Sequence, residues 1–272
     1  MTSSRRTARR TARAPLALVA PAVVGIVFLL LPIAALVVRM PWRRLPALLA
    51  SDQVLQALRL SLVSSLLATV VCLVLGVPLA WLLARVRLRG IAVLRALVTV
   101  PLVLPPVVGG VALLMALGRR GVVGRWLDAW FGFTLPFTPA AVVLAEAFVA
   151  LPFLVLTLEG ALRSADRGLE EAAATLGASR LAVFRRVTLP AVVPSVVAGA
   201  VLSWARALGE FGATITFAGN FPGRTQTMPL AVYLALQTEP DAALALSLVL
   251  LVVSVAVLVL LRDRWLRRAV VS

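Results

Sequence analysis

The sequence predicts an all-α membrane protein with about six transmembrane helices. Three observations carry that expectation. The 272 residues are 61% hydrophobic, with a mean hydropathy of +1.03, whereas soluble domains sit near half apolar. Several stretches exceed the ~18 uncharged apolar residues that mark a membrane-crossing helix. The charge is mostly kept apart from them: the net +16 comes from 27 basic residues, all arginine, concentrated between and beyond the apolar runs.

Composition also excludes function classes. A basic chain can signal nucleic-acid binding, but arginine-rich loops flanking apolar spans fit a lipid bilayer better, and no nucleic-acid partner is expected. Without lysine there is no standard phosphate-binding P-loop, so ATP-driven work would need hydrolysis on another subunit. There is no histidine, one cysteine (Cys72) and one tyrosine (Tyr233). An intrachain disulfide, a His/Cys metal site and a histidine-based catalytic centre are therefore untenable. No enzyme activity, metal or cofactor is expected on this chain.

Residues 1–15 read as a short basic cytoplasmic tail. The run 16–38 is longer than the ~7–15 residues of a signal-peptide core and reads as a retained first span. Residues 39–53, with Pro41, Trp42 and Pro46, form an outer loop. A core of membrane helices is expected over 54–261. Its first helix covers 54–84, with Trp81 as an interfacial anchor, and a basic loop follows with Arg85, Arg87 and Arg89. The next helix, 91–117, contains PLVLPPVVGG; Pro105, Pro106, Gly109 and Gly110 weaken or break it. Two readings stand: a bend lining a pathway, or a kink with glycines for close packing.

Residues 118–137 form an amphipathic, aromatic outer segment. The fourth span, about 138–158, contains Glu146. A carboxylate at membrane depth is a functional candidate; the reading the sequence favours is a protonated or paired group between helices. A fifth span starts near 191 and a last one covers 242–261, followed by a basic tail at 262–272. With the N-terminus inside, 18 arginines fall on the inner side. Seven fall outside: Arg39, Arg43, Arg44, Arg119, Arg120, Arg125 and Arg224. That bias puts both termini, and the stretch 170–190, in the cytoplasm.

This stretch, EEAAATLGASRLAVFRRVTLP, is helix-forming and of mixed polarity. Glu170 and Glu171 suit the first turn of a helix. Gly177 interrupts it, and Ser179 can cap a second short helix over 180–188. Pro190 and Pro194 mark re-entry into the membrane. The expectation is two short helices about a glycine turn, lying along the membrane surface. The alternative is an amphipathic helix resting on lipid headgroups.

The spacing Glu171-Ala172-Ala173, three residues, Gly177, nine residues, Val187, one residue, Leu189-Pro190 resembles the EAA loop of permease subunits of binding-protein-dependent ABC importers. The family pattern is EAA-x3-G-x9-I-x-LP, and Val187 in place of isoleucine is the sole departure. The resemblance implies a type I ABC importer permease-like fold. It implies that the loop docks in a groove of a cytoplasmic ATP-binding subunit, which holds the ATP and Mg. Glu171 would contact that subunit, Ala172 and Ala173 would allow close approach, and Gly177 would permit the turn. An extracytoplasmic substrate-binding protein and a second copy of this chain, forming a homodimer, complete the implied assembly.

PLVLPPVVGG, and ARALGEFGATITFAGNFPGRTQTMPLAVY at 205–233, are similar to the molybdate permease branch, which lies close to sulfate permeases. The similarity covers about 55–261. Taken by their chemistry, Arg206 could attract an oxyanion. Gly209, Gly212 and Gly219 let backbone approach a ligand, and Thr214, Thr216 and Asn220 offer neutral donors. Arg206 and Glu210 are also spaced to neutralise each other. The residues point to a small anion, and molybdate follows from the resemblance. Sulfate, thiosulfate and tungstate are the alternatives within the family. An ion-coupled transporter or channel could use Glu146 and the Arg206–Glu210 pair, but it leaves the loop spacing unexplained.

Overall fold

A computed structural model describes residues 16–86 and 89–269. The expected N-terminal tail and Arg87 lie outside the described residues, and the expected C-terminal tail begins as the helical end of the last helix. Among the described residues there are thirteen α-helices, one π-helical turn and no strand. They are α1 (Leu16–Val38), α2 (Leu45–Leu49), α3 (Asp52–Arg85), α4 (Ile91–Val103), α5 (Pro106–Leu117), α6 (Gly124–Phe131) and α7 (Pro139–Ser164). There follow α8 (Gly168–Thr175), α9 (Arg180–Val183), α10 (Leu189–Leu208), α11 (Gly212–Phe217), α12 (Met228–Thr238) and α13 (Pro240–Ala269). Five helical segments are long and apolar enough to cross a bilayer, or six if the bent α4–α5 pair counts as one.

Two expectations change. The helix expected over 91–117 is two helices meeting at 117°. Leu104 and Pro105 are extended, with ψ of 133° and 131°. Pro105 and Pro106 bring no N–H to continue the α4 ladder, while Pro106 suits the first turn of α5. Gly109 and Gly110 do not break α5; both are buried. A Cβ on Gly110 would lie 2.7 Å from the Thr216 Cβ, and one on Gly212 would lie 2.8 Å from the Pro106 Cβ. These two glycines thus let α5 and α11 touch backbone to backbone, so the break and the close packing coexist.

The second change concerns 180–208. The separate short helix expected over 180–188 joins the membrane span in a single 29-residue rod, Arg180–Leu208. The join is one π-helical turn, Phe184–Thr188. There the Leu189 N–H reaches back to the Phe184 carbonyl, and this wider register carries the helix into Pro190, which has no N–H to give.

The core is built around α7, which packs most extensively on α3 and α10. Small residues permit this: Ala68, Cys72, Ala147, Ala150 and Ala207 form one buried cluster with Leu154. A Cβ on Gly76 of α3 or on Gly199 of α10 would come within 2.8 Å of a Leu154 methyl. Leu154 is thus wedged between two glycines on two helices. In a bilayer, where lipid competes for apolar surface, such close packing holds helices together. Hydrogen bonds between helices supplement it. The Ser203 hydroxyl donates to the Ala150 carbonyl at 3.0 Å, and the Ser64 hydroxyl to Glu146 Oε1 at 2.8 Å. Glu146 of α7 is buried against α3 and accepts one hydrogen bond, from Ser64, while its Oε2 has no partner among the described residues.

Candidate functional site

The loop joining α7 to the Arg180–Leu208 rod projects from one end of the bundle. Glu170 and Glu171 lie in the first turn of α8, where the helix dipole favours negative charge. The helix ends because Gly177 takes a φ of +85°, which an L-residue with a Cβ resists. Its N–H reaches the Ala174 carbonyl at 3.0 Å, and the Ala178 N–H reaches that of Ala173 at 3.1 Å. This is the glycine-capped helix end in which both orphan carbonyls find donors. Ser179 then caps α9, its hydroxyl oxygen accepting from the Ala182 N–H at 3.3 Å.

Glu171 and Ala172 are exposed and Ala173 is half-buried. Leu169, Leu181 and Leu176 are also exposed, Leu176 to 89%. Val187 and Leu189 turn partly inward, whereas Pro190 is exposed.

The inner side of the loop has a contact the sequence reading did not find. Glu170 Oε1 accepts from Arg85 Nη2 at 2.8 Å and from the Thr188 hydroxyl at 2.9 Å. The Arg85 side chain is 7% exposed and that of Glu170 20%. Among the described residues Arg85 Nε and Nη1 have no partner. Trp81 of α3 and Phe184 of the π turn meet edge to face, with centroids 6.2 Å apart. On the same end, Glu159 of α7 binds Arg95 of α4 at 2.9 Å and Arg163 at 3.0 Å. No local signal marks Glu170 as the inward member of the doublet: consecutive helical residues point about 100° apart, and the consecutive Glu171 and Ala172 are both exposed.

The α10–α12 connection holds the other candidate residues. Arg206 Nη1 and Glu210 Oε2 pair at 2.6 Å, with side-chain exposures of 26% and 1%. Glu210 Oε1 also accepts from the Ala213 N–H at 2.8 Å, capping α11. Glu210 is therefore fully engaged within the chain. Thr216 donates to the Gly212 carbonyl of its own helix at 2.7 Å. Thr214 Oγ1 and Asn220 Oδ1 are sealed from solvent without partners among the described residues. Gly209 is exposed and meets only its own helix; Gly212 is covered by α5, and Gly219 faces Phe137 and Phe221. The structure gathers these residues in one region: Gly209 is exposed, Arg206, Thr216, Gly219 and Asn220 are half-buried, and Glu210, Gly212 and Thr214 are buried.

On the opposite end of the bundle Arg44 binds Asp241 at 3.1 Å. There too, α6 carries exposed Trp126 and Trp130, whose rings lie 5.5 Å apart, with Arg125 over the Trp126 ring.

Residues 73–270 match the family described as binding-protein-dependent transport system inner membrane component. The molybdenum transport system permease protein ModB of Mycobacterium bovis is 53% identical over 224 residues, 82% of this chain and 84% of that protein. The sulfate transport system permease protein CysT of Escherichia coli is 38% identical over 212 residues, 77% of this chain and 76% of that one. Among solved structures, a chain of a bacterial ABC transporter involved in the import of the acidic polysaccharide alginate superposes with a TM-score of 0.75. It shares 19% identity and covers 93% of this chain and 94% of that chain, which is a likeness of fold. From its own residues, its architecture and these relatives, the chain belongs to the family of binding-protein-dependent transport system inner membrane components.

Proposed function

We propose that this chain is the membrane-spanning permease subunit of an ATP-driven importer, and that its cargo is molybdate. The observation that carries the machine is the exposed loop around Gly177, with Glu171, Ala172 and Leu176 exposed and Ala173 half-buried beside them. A cytoplasmic ATP-binding subunit docks there and holds the ATP and Mg. Its closure moves the loop, and rigid-body motion of the helices switches access between the two sides. Val187, Leu189 and Pro190 form the root of the loop where the rod enters the membrane. An extracytoplasmic binding protein delivers the anion, and a second copy of this chain completes the channel, with both termini in the cytoplasm.

The cargo rests on the 53% identity to the molybdenum permease, against 38% to the sulfate permease. The path runs beside Arg206 and Gly209, with Gly212, Thr214, Thr216 and Asn220 shaping the wall behind them. Pairing Arg206 with Glu210 leaves the wall near neutral, which suits passage over tight binding. The 38% relative keeps sulfate as the second reading.

The test is co-expression with a candidate ATP-binding subunit and binding protein, followed by uptake of radiolabelled molybdate in the presence of excess sulfate or tungstate. ATP-dependent uptake that resists sulfate is expected. Equal uptake with an ATP-binding subunit dead in its phosphate-binding lysine would sink the importer reading; competition by sulfate would move the cargo to the second one.

A further inference from the structure

We infer that Glu170, which lies outside the motif spacing, is a positioning residue for transport: it carries displacement of the docked loop into α3 and the root of α10. This rests on the importer reading above and assigns the adjacent glutamates opposite tasks. Glu171 is exposed, lines the cavity that Glu170, Arg85 and Thr188 also line, and its carboxylate makes no hydrogen bond or ion pair among the described residues. Glu170, about 100° round the helix, turns inward. A single carboxylate oxygen, Glu170 Oε1, joins three segments: its own helix α8, the end of α3 through Arg85, and the π turn through Thr188.

The surroundings make this a mechanical joint. Along the chain, α8 connects to the rod through Gly177, whose position has no heavy atom within 4 Å of a built Cβ. That turn transmits little force by packing. Across the fold, Glu170 bridges the same two segments directly through Thr188, which is buried. Arg85 is nine-tenths buried, and its only ion pair among the described residues is with Glu170. A charge so enclosed holds its partner firmly, because separating them strands it away from water. The Trp81–Phe184 contact closes the joint on its apolar side. The π turn places Thr188 at this point, and single π turns within α-helices recur at functional sites.

The experiment uses the full chain co-expressed with its ATP-binding subunit and binding protein, reconstituted in liposomes. Two quantities are read: co-purification of the ATP-binding subunit, and molybdate taken up per ATP hydrolysed. Glu170→Gln is expected to keep the ATP-binding subunit while uptake per ATP falls by roughly tenfold, the scale of ordinary coupling between sites. Thr188→Val should lower it by a smaller factor. The exchange Arg85→Glu with Glu170→Arg should recover most of the ratio, because it restores the pair with its polarity reversed. Glu171→Arg should instead lose the ATP-binding subunit.

Wild-type uptake per ATP in Glu170→Gln overturns the inference. So does loss of the ATP-binding subunit as complete as in Glu171→Arg, since Glu170 would then be a docking contact. An exchanged pair that folds and assembles but fails to recover the ratio overturns it as well. Failure of the unaltered chain to hold an ATP-binding subunit is a different result, and it counts against the importer reading itself.

Discussion

In the loop between α7 and α10, Glu171, Leu176 and Leu181 are exposed, and the Glu171 carboxylate has no hydrogen-bond or ion-pair partner among the described residues. In the connection between α10 and α12, Arg206 and Glu210 meet each other, Glu210 caps α11, and Thr216 bonds to its own helix. Both regions looked functional by residue type. The difference is the surrounding medium. Water and a partner can satisfy an exposed loop, whereas polar groups at membrane depth depend on partners within the protein, and there Thr214 Oγ1 and Asn220 Oδ1 find none among the described residues. Residue type alone therefore says more about an exposed loop than about a path through a bilayer.

The largest expected effect that would break this contrast is at Arg206. Arg206→Ala strands the buried Glu210 carboxylate and should cost about 3–5 kcal/mol, the penalty for removing one partner of a buried pair. Thermal unfolding in detergent reads it, and adding Glu210→Gln should recover most of the loss. An Arg206→Ala chain of normal stability that no longer transports would instead mean that Arg206 serves the anion and not Glu210.

Next comes Gly212→Ala, which pushes a methyl against Pro106. Overpacking of this kind costs about 1–3 kcal/mol, and a Tm equal to that of the unaltered chain would show that the α5–α11 contact can relax. Gly177→Val should act differently. Its left-handed backbone penalises a side chain by about 1–2 kcal/mol, but the position is open, so the loss stays in the loop. The expected result is normal membrane insertion with weakened co-purification of the ATP-binding subunit. The smallest effect is expected from Thr216→Val, about 0.5–1.5 kcal/mol for the lost hydrogen bond to the Gly212 carbonyl; a transport defect beyond that loss of stability would put its hydroxyl on the path.

What was legible follows from how far apart the cooperating residues lie. The α8–Gly177–α9 loop is written in consecutive residues: acids in the first turn, a glycine where φ turns positive, a serine cap. Local rules found each of them. The spans were equally legible from apolar length. The Arg85–Glu170 pair joins residues 85 apart and Ser64–Glu146 joins residues 82 apart, and no local pattern encodes such meetings. The Pro105–Pro106 break was visible, but its 117° angle depends on α5 finding α11. Pro190 read as a boundary because a proline usually ends a helix; the π turn before it is a hydrogen-bond register the residue names do not spell. Gly212 read as room for a ligand, and α5 occupies that room.

Leu154, caught between Gly76 and Gly199, constrains how this molecule can change shape. A helix that slipped by one residue would advance about 1.5 Å and rotate about 100°. That would take Leu154 out of both notches and press a branched side chain against backbone. α3, α7 and α10 are keyed together like a shaft in its hub. Gradual shear among them is blocked, and motion imposed at the loop must swing the three as one lever, leaving flexure to the α4–α5 elbow and to α1, which stands almost wholly exposed beside α13.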